Sequence, residues 1–138
     1  MGKGIITVGA VIKRGDEVLL VKHGTEASHL TGVYGIPAGR PEGNERLLDA
    51  CIREVREETG LVLEKDSLKR LKNTYFAEIE RKDGKGVYML IAYVANAFSG
   101  ELTKTEEAES IWIKIDRINE LNLLPNVAEI IEEAFSWK

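Results

Sequence analysis

Glu54, Glu57 and Glu58 stand at spacings i, i+3 and i+4, which on a helix groups them within about 100° of one face. Like charges so placed repel by roughly 0.2–0.5 kcal/mol per pair in water, and by more in a partly dry site. They also fall near the C-terminal end of a predicted helix over residues 45–59, where the macrodipole disfavours negative charge. Selection for helix stability alone would place Lys or Arg at one of these positions. Two readings remain for the bare cluster. It is a solvated face neutralised by Arg53 and Arg56, or it holds a divalent cation that prefers oxygen ligands, Mg²⁺ or Mn²⁺.

The surrounding positions decide between them. Gly39, Glu45, Arg53, Glu54, Val55, Glu57, Glu58, Gly60 and Leu61 follow the spacing G-x5-E-x7-R-E-U-x-E-E-x-G-U without a mismatch, U being a bulky aliphatic residue. Read whole, Gly39–Leu61 (GRPEGNERLLDACIREVREETGL) resembles the signature box of the Nudix hydrolases. The resemblance implies an α/β/α sandwich with a mixed, mostly antiparallel sheet and the box helix packed on it. It also implies Mg²⁺- or Mn²⁺-assisted attack of water on the diphosphate of a nucleoside diphosphate linked to another moiety. Matched position by position, Glu54, Glu57 and Glu58 look like the metal ligands, with the backbone carbonyl of Ala38 beside them. Arg53 looks like the residue that orients the carboxylates. Gly39, Glu45 and Gly60 look architectural, Gly60 as a left-handed helix stop.

The chemistry accounts for these residue types. The substrate is a polyanion, and bare carboxylates would repel it. Divalent ions bridging carboxylates and phosphate oxygens reverse that sign and lower the pKa of a bound water. A carboxylate must still accept the water's proton. Glu54 is one candidate. In some Nudix enzymes the base comes from a loop before a Trp-containing strand, and here Glu106, Glu107 and Glu109 precede Trp112. Glu106 has the favoured spacing, with a solvated acidic turn as its alternative.

Arg40 follows the box glycine and is a candidate phosphate contact. Lys22 and His23 end a strand, where they meet a phosphate or base or are simply solvated, and Lys22 is kept as a substrate-binding candidate. His29 has no second His or Cys nearby to share a metal. Tyr34 reads as core, Cys51 as a small buried apolar residue, and Trp137 as the end of the last helix's apolar face.

These side chains need a scaffold, and the sequence outlines one. Ile5–Ile12 and Val18–Val21 are β-rich runs joined by a turn at Arg14–Glu17. A glycine-containing loop over 22–44 has only Val33–Ile36 extended. Asn73–Glu80 and Gly86–Ala97 flank Asp83-Gly84, a strong hairpin signal. Ser110–Ile115 alternates like a short strand, and Asp116–Leu121 reads as one helical turn. Asn126 and Glu129 form a variant capping box opening an amphipathic helix with Val127, Ile130, Ile131 and Ala134 on one face.

Length and composition set the outer bounds. The 138 residues, 43% apolar and 30% charged, predict a single globular domain over 1–138. No apolar run approaches the roughly 20 residues that span a bilayer, so no membrane partner is expected. One cysteine excludes an internal disulfide framework and points to a reducing cytoplasm. The net charge of −4 excludes a general nucleic-acid surface, DNA included. Segments 39–61 and 101–138 carry −2 and −5, while 62–100 carries +2, so the acids concentrate around the proposed ligands and in the C-terminal third.

Substrate choice lies outside the box. Subfamilies acting on ADP-ribose tend to carry a Pro where this chain has Phe76, and those acting on dinucleoside polyphosphates a Tyr slightly beyond Tyr75. The coenzyme A-type motif is missing. A small-molecule nucleotide, either a nucleoside triphosphate or a nucleotide-sugar, is therefore the expected substrate. An RNA 5′-end pyrophosphohydrolase and a non-catalytic nucleotide-sensing module are the alternatives, and a homodimer is compatible with the sequence.

Overall fold

The computed structural model describes residues 3–23, 32–81, 84–103 and 108–136. Strands β1 (Lys3–Arg14) and β2 (Glu17–His23) form the first hairpin, followed by the two-residue strands β3 (Tyr34–Gly35) and β4 (Ala38–Gly39). Helix α1 (Leu47–Thr59) follows, then β5 (Leu61–Leu63), β6 (Lys69–Arg70) and the long pair β7 (Tyr75–Arg81) and β8 (Gly84–Ala95). β9 (Phe98–Gly100), β10 (Ala108–Lys114), a 3-10 segment (Ile115–Glu120) and α2 (Val127–Ser136) complete the order.

The main sheet runs β10-β2-β1-β8-β6, with β3 on β2, β4 on β1 and β7 on β8. β1 and β8 are parallel over ten residue pairs, Lys3↔Gly86 to Ile12↔Ala95; the other pairings in this sheet are antiparallel. Alternation along β1 sends Val8, Ala10 and Ile12 to one face and Val11 to the other. Cys51 and Val55 of α1 cover the first face, and Ile130, Ile131 and Ala134 of α2 cover the second. Burial on both faces is why residues 8–12 are apolar or glycine throughout, while Ile6 before them is exposed. The architecture is the α/β/α sandwich that the sequence predicts.

Several boundaries differ from the sequence reading. The helix begins at Leu47, not Glu45, because Glu45 closes a turn in which its N–H donates to the Glu42 carbonyl at 2.9 Å. Arg46 precedes the helix with extended backbone and no side-chain cap. The capping geometry expected at Asn126 is replaced. Its backbone is left-handed (φ 71°) and its Nδ2 donates to the Phe76 carbonyl at 2.7 Å, tying the start of α2 to β7. β5 and β9 form a separate two-stranded sheet that local patterning did not signal. His29 and Trp137 lie outside the described residues.

Candidate active site

β1 and β2 are paired at the hairpin, Lys13↔Val18 and Arg14↔Glu17, and then diverge. Into the fork go β3, which takes the edge of β2 at Val21 and Lys22, and β4, which takes β1 at Val8 and Gly9. Pro37 sits between them, and its carbonyl accepts from the Ala10 N–H at 3.1 Å. A proline has no N–H to donate to a ladder, so it fits the point where the chain leaves one strand for the next. The fork delivers Ala38 and Gly39 beneath α1.

Helix α1 brings its carboxylates down onto that strand. The Ala38 N–H donates to Glu58 Oε1 at 2.8 Å. Gly39 lies so close to the carboxyl group of Glu54 that a β-carbon there would push the carboxyl aside. Arg53 spreads its guanidinium across the cluster. Nε and Nη2 bind the two oxygens of Glu45 at 2.9 and 3.0 Å, while Nη1 reaches Glu54 Oε1 at 3.0 Å and Glu57 Oε1 at 3.1 Å. Nη2 also donates to the Arg40 carbonyl at 3.0 Å. Arg53 thus ties the turn before the helix to the helix itself.

The helix ends as its sequence predicts. Gly60 is left-handed (φ 87°), and a side chain there would strike the Glu101 carbonyl and Thr103. The buried Thr59 satisfies itself, donating to the Val55 carbonyl at 2.7 Å and accepting from the Leu61 N–H at 3.1 Å. Its own carbonyl accepts from the Thr103 N–H at 2.8 Å. Thr103 is therefore docked on the C-terminal end of α1. Glu106 lies outside the described residues.

Burial pushes the Glu58 carboxyl up to about 7, partly countered by the Ala38 N–H and raised further by the charges of Glu54 and Glu57. Glu54 is also held above its ordinary range, chiefly by burial, with Arg53 opposing. Hydrogen bonds from Arg53 and the Glu42 N–H hold Glu45 below it. Two half-buried acids whose charged forms are disfavoured, beside a third, make an oxygen-rich donor set suited to a hard divalent ion. In this arrangement Glu54 and Glu57 point to Arg53, and Glu58 points to Ala38. Among the described residues no three His, Cys, Asp or Glu side chains converge on one point. The donor chemistry fits such an ion, and Arg53 and the Ala38 N–H position the carboxylates through hydrogen bonds.

Beside this cluster, on the α2 face of the sheet, opens a pocket of about 270 Å³. Ala38, Gly39, Arg40 and Glu58 form its wall toward the carboxylates. Thr7, Tyr75, Tyr88 and Leu90 rise from β1, β7 and β8, with Leu124 and Asn126 closing the opposite side. Arg40 donates from Nη2 to the Tyr88 hydroxyl at 3.3 Å, with its guanidinium 5.9 Å from that ring's centroid. Lys22 does not line the pocket; its ammonium lies 6.0 Å from the Tyr34 ring. Tyr34 packs at the edge of the α2-side core, as expected, and Cys51 is fully buried.

Thr7 and Tyr88 were not singled out from the sequence, and Tyr75 and Asn126 were not read there as pocket residues. The signal for three of them is strand register: Thr7 and Tyr75 both pair with Leu90, and Tyr88 pairs with Ala77. That register is not readable until β1, β7 and β8 are assembled.

The comparisons with known proteins agree with this geometry. The NUDIX domain model matches residues 4–136. The chain is 27% identical to an ADP-ribose pyrophosphatase of Methanocaldococcus jannaschii, over 96% of this chain and 74% of that protein. It is 25% identical to the CTP pyrophosphohydrolase of Escherichia coli K12, over 94% and 90%. The crystal structure of a MutT Nudix hydrolase from Burkholderia pseudomallei superposes with a TM-score of 0.78 at 26% identity, covering 95% of this chain and 98% of that one. With the box glutamates, their arginine and the fork beneath them in place, the chain belongs to the Nudix family and is a hydrolase.

Proposed function

We propose that the protein is a Mg²⁺- or Mn²⁺-dependent pyrophosphohydrolase that cleaves the diphosphate of a small nucleoside diphosphate derivative. The observation that carries this reading is continuity. Ala38, Gly39, Arg40 and Glu58 belong both to the pocket wall and to the carboxylate cluster or the strand beneath it. A nucleoside seated among Tyr75, Tyr88 and Leu90 therefore leads its phosphates toward α1. Nucleoside triphosphates and nucleotide-sugars remain the favoured substrates. ADP-ribose and CTP join the screen because they are named for relatives that cover nearly the whole chain.

Glu54, Glu57, Glu58 and the Ala38 carbonyl would hold the divalent ion, which neutralises phosphate oxygens and acidifies a bound water. Arg53 keeps Glu54 and Glu57 in place, and the Arg40 guanidinium is available to a substrate phosphate. Water oxygen bonds to phosphorus as the bridging P–O bond breaks, and the bridging oxygen leaves with the departing phosphate. The water's proton passes to a carboxylate, Glu54 or Glu106. The buried Cys51 thiol is compatible with a reducing, cytoplasmic setting.

The test is a screen of nucleoside triphosphates, nucleotide-sugars, ADP-ribose, dinucleoside polyphosphates and triphosphorylated RNA with Mg²⁺, with product analysis. Glu57→Gln should reduce turnover by orders of magnitude while leaving the fold intact, and EDTA should abolish it. A full-rate Glu57→Gln enzyme, or one indifferent to EDTA, would falsify the proposal. Glu106→Gln should remove the acidic limb of the pH–rate profile if Glu106 is the base, and leave it unchanged if Glu54 is.

A further inference from the structure

Two cavities meet the carboxylate cluster from different sides. The pocket on the α2 face reaches it at Gly39, Arg40 and Glu58. An open groove of about 520 Å³ on the outer surface of α1 reaches it at Arg53 and Glu57, and Asp49, Ile52, Arg56 and Val62 complete its lining. The two have no lining residue in common. The helix accounts for the division: at about 100° per residue, Glu58, Glu54, Glu57, Arg53 and Arg56 follow in that order around its axis. The cluster therefore has the pocket on one side and the groove on the other.

Most of the charge in the groove is already engaged. Arg53 is bound to Glu45, Glu54 and Glu57, and Asp49 pairs with Lys65 at 3.0 Å. Arg56 is exposed, and its guanidinium has no hydrogen-bond or ion-pair partner among the described residues. Its helical neighbours three and four positions away are Ile52, Arg53, Thr59 and Gly60, so no acid stands where a helix ion pair would need one. The N–H donors of its guanidinium are left unspent beside Glu57. A divalent ion held by the cluster would offset the charge of Glu57 and leave Arg56 as the uncompensated cation of the groove.

Given the pyrophosphohydrolase reading on which this rests, the diphosphate lies at the cluster and the nucleoside on the pocket side. The group joined to the nucleoside diphosphate then leads toward the groove. We propose that the groove receives that group and that Arg56 selects an anionic one, a terminal phosphate, over a neutral sugar. Nucleoside triphosphates are then taken over nucleotide-sugars. A phosphate accepts charge-assisted, bidentate hydrogen bonds from a guanidinium, whereas a sugar hydroxyl brings no charge to meet Arg56. Ile52 and Val62 are apolar and Asp49 is committed to Lys65, so the groove offers a sugar little in return.

The experiment compares kcat/KM with Mg²⁺ for ATP, ADP-ribose and ADP-glucose, and for UTP and UDP-glucose, in the wild-type protein, Arg56→Gln and Arg56→Lys. Within each set the nucleoside diphosphate is constant and only the group beyond it changes. The wild type should prefer the triphosphate. Arg56→Gln should lower the ratio of triphosphate to nucleotide-sugar by about tenfold, the loss expected for one hydrogen bond to a charged group. Arg56→Lys keeps the charge and should retain most of that ratio. Calorimetry with inorganic pyrophosphate and Mg²⁺ gives a readout independent of turnover, and its Kd should rise in Arg56→Gln by a similar factor. A cation that serves only the helix dipole would change the thermal midpoint and leave the ratio as it was, and that result would overturn the proposal. Equal losses on every substrate, or a wild-type preference for the sugars, would overturn it too. Hydrolysis of none of these nucleotides would reject the pyrophosphohydrolase reading instead, while the pyrophosphate titration would still test Arg56.

Discussion

A β-carbon on Gly39 would overlap the carboxyl group of Glu54. The box glycine therefore serves close approach: its α-carbon faces a carboxylate directly, with backbone β4 beneath and helix α1 above. Nothing in its backbone torsions demands glycine, since it is absent from the left-handed residues. The demand comes from the side chain across the gap.

Gly39→Ala should accordingly displace Glu54. A proposed ligand moved by about 1 Å costs on the order of 100-fold in rate, while the stability cost is small, because the displaced group is the far end of a flexible side chain. Steady-state kinetics and a thermal melt measure the two. A variant with unchanged kcat would show that Glu54 need not occupy its present position.

Arg53→Lys should fail for geometric reasons. The guanidinium spans Glu45, Glu54, Glu57 and the Arg40 carbonyl through three nitrogens, and a single ammonium cannot span that set. Turnover should fall roughly 10- to 100-fold, with the metal concentration needed for half-maximal rate rising, because Glu54 and Glu57 lose their common tether. A metal titration of the variant separates this from a simple loss of fold, which would leave the surviving activity with normal metal dependence.

The helix and its glutamates were legible in the sequence because their information is local. Periodicity placed Cys51 and Val55 inward and the acids outward, and Gly60 marked the stop. The fork that carries Ala38 and Gly39 was not legible, since β3 and β4 are two residues each and owe their pairing to β1 and β2. Asn126 misled for a related reason. Its spacing from Glu129 matches a helix cap, but a distant carbonyl, that of Phe76, claims its side chain. The pocket needs Thr7, Tyr75, Tyr88 and Asn126 together, three brought in by non-local strand register and Asn126 by its bond to the Phe76 carbonyl.

Cys51 offers a check on the core. Burial pushes its thiol up to about 12 from an ordinary 9.0, and the thiolate is the reactive form. The folded protein should resist thiol reagents at pH 8 and react stoichiometrically once denatured. The folded thiol holds its proton between pH 9 and 12 while the unfolded one releases it. Its contribution to stability is thus complete below pH 9 and is lost as pH rises through that window. Rapid labelling under native conditions would mean that α1 leaves the sheet readily.

Glu58 titrates in a more useful range. Its folded value of about 7 lies above the ordinary 4.5, so between these pH values the folded protein binds more protons than the unfolded chain. Stability of the metal-free protein then falls as pH rises: the contribution is complete below about 4.5 and is lost by the time pH passes 7. The loss is on the order of 1–3 kcal/mol. A divalent cation acts in the opposite sense, because it binds the ionised carboxylate and expels the proton. Thermal midpoints in EDTA should decline from pH 5 to pH 8, and the stabilisation given by Mg²⁺ should grow over the same interval. Glu58→Gln keeps an oxygen for the Ala38 N–H but has no proton to lose, so it should flatten the EDTA profile and blunt the response to Mg²⁺. A wild-type midpoint that stays level in EDTA across this interval would show that Glu58 is ionised without a metal, and that the Ala38 N–H suffices to hold its charge.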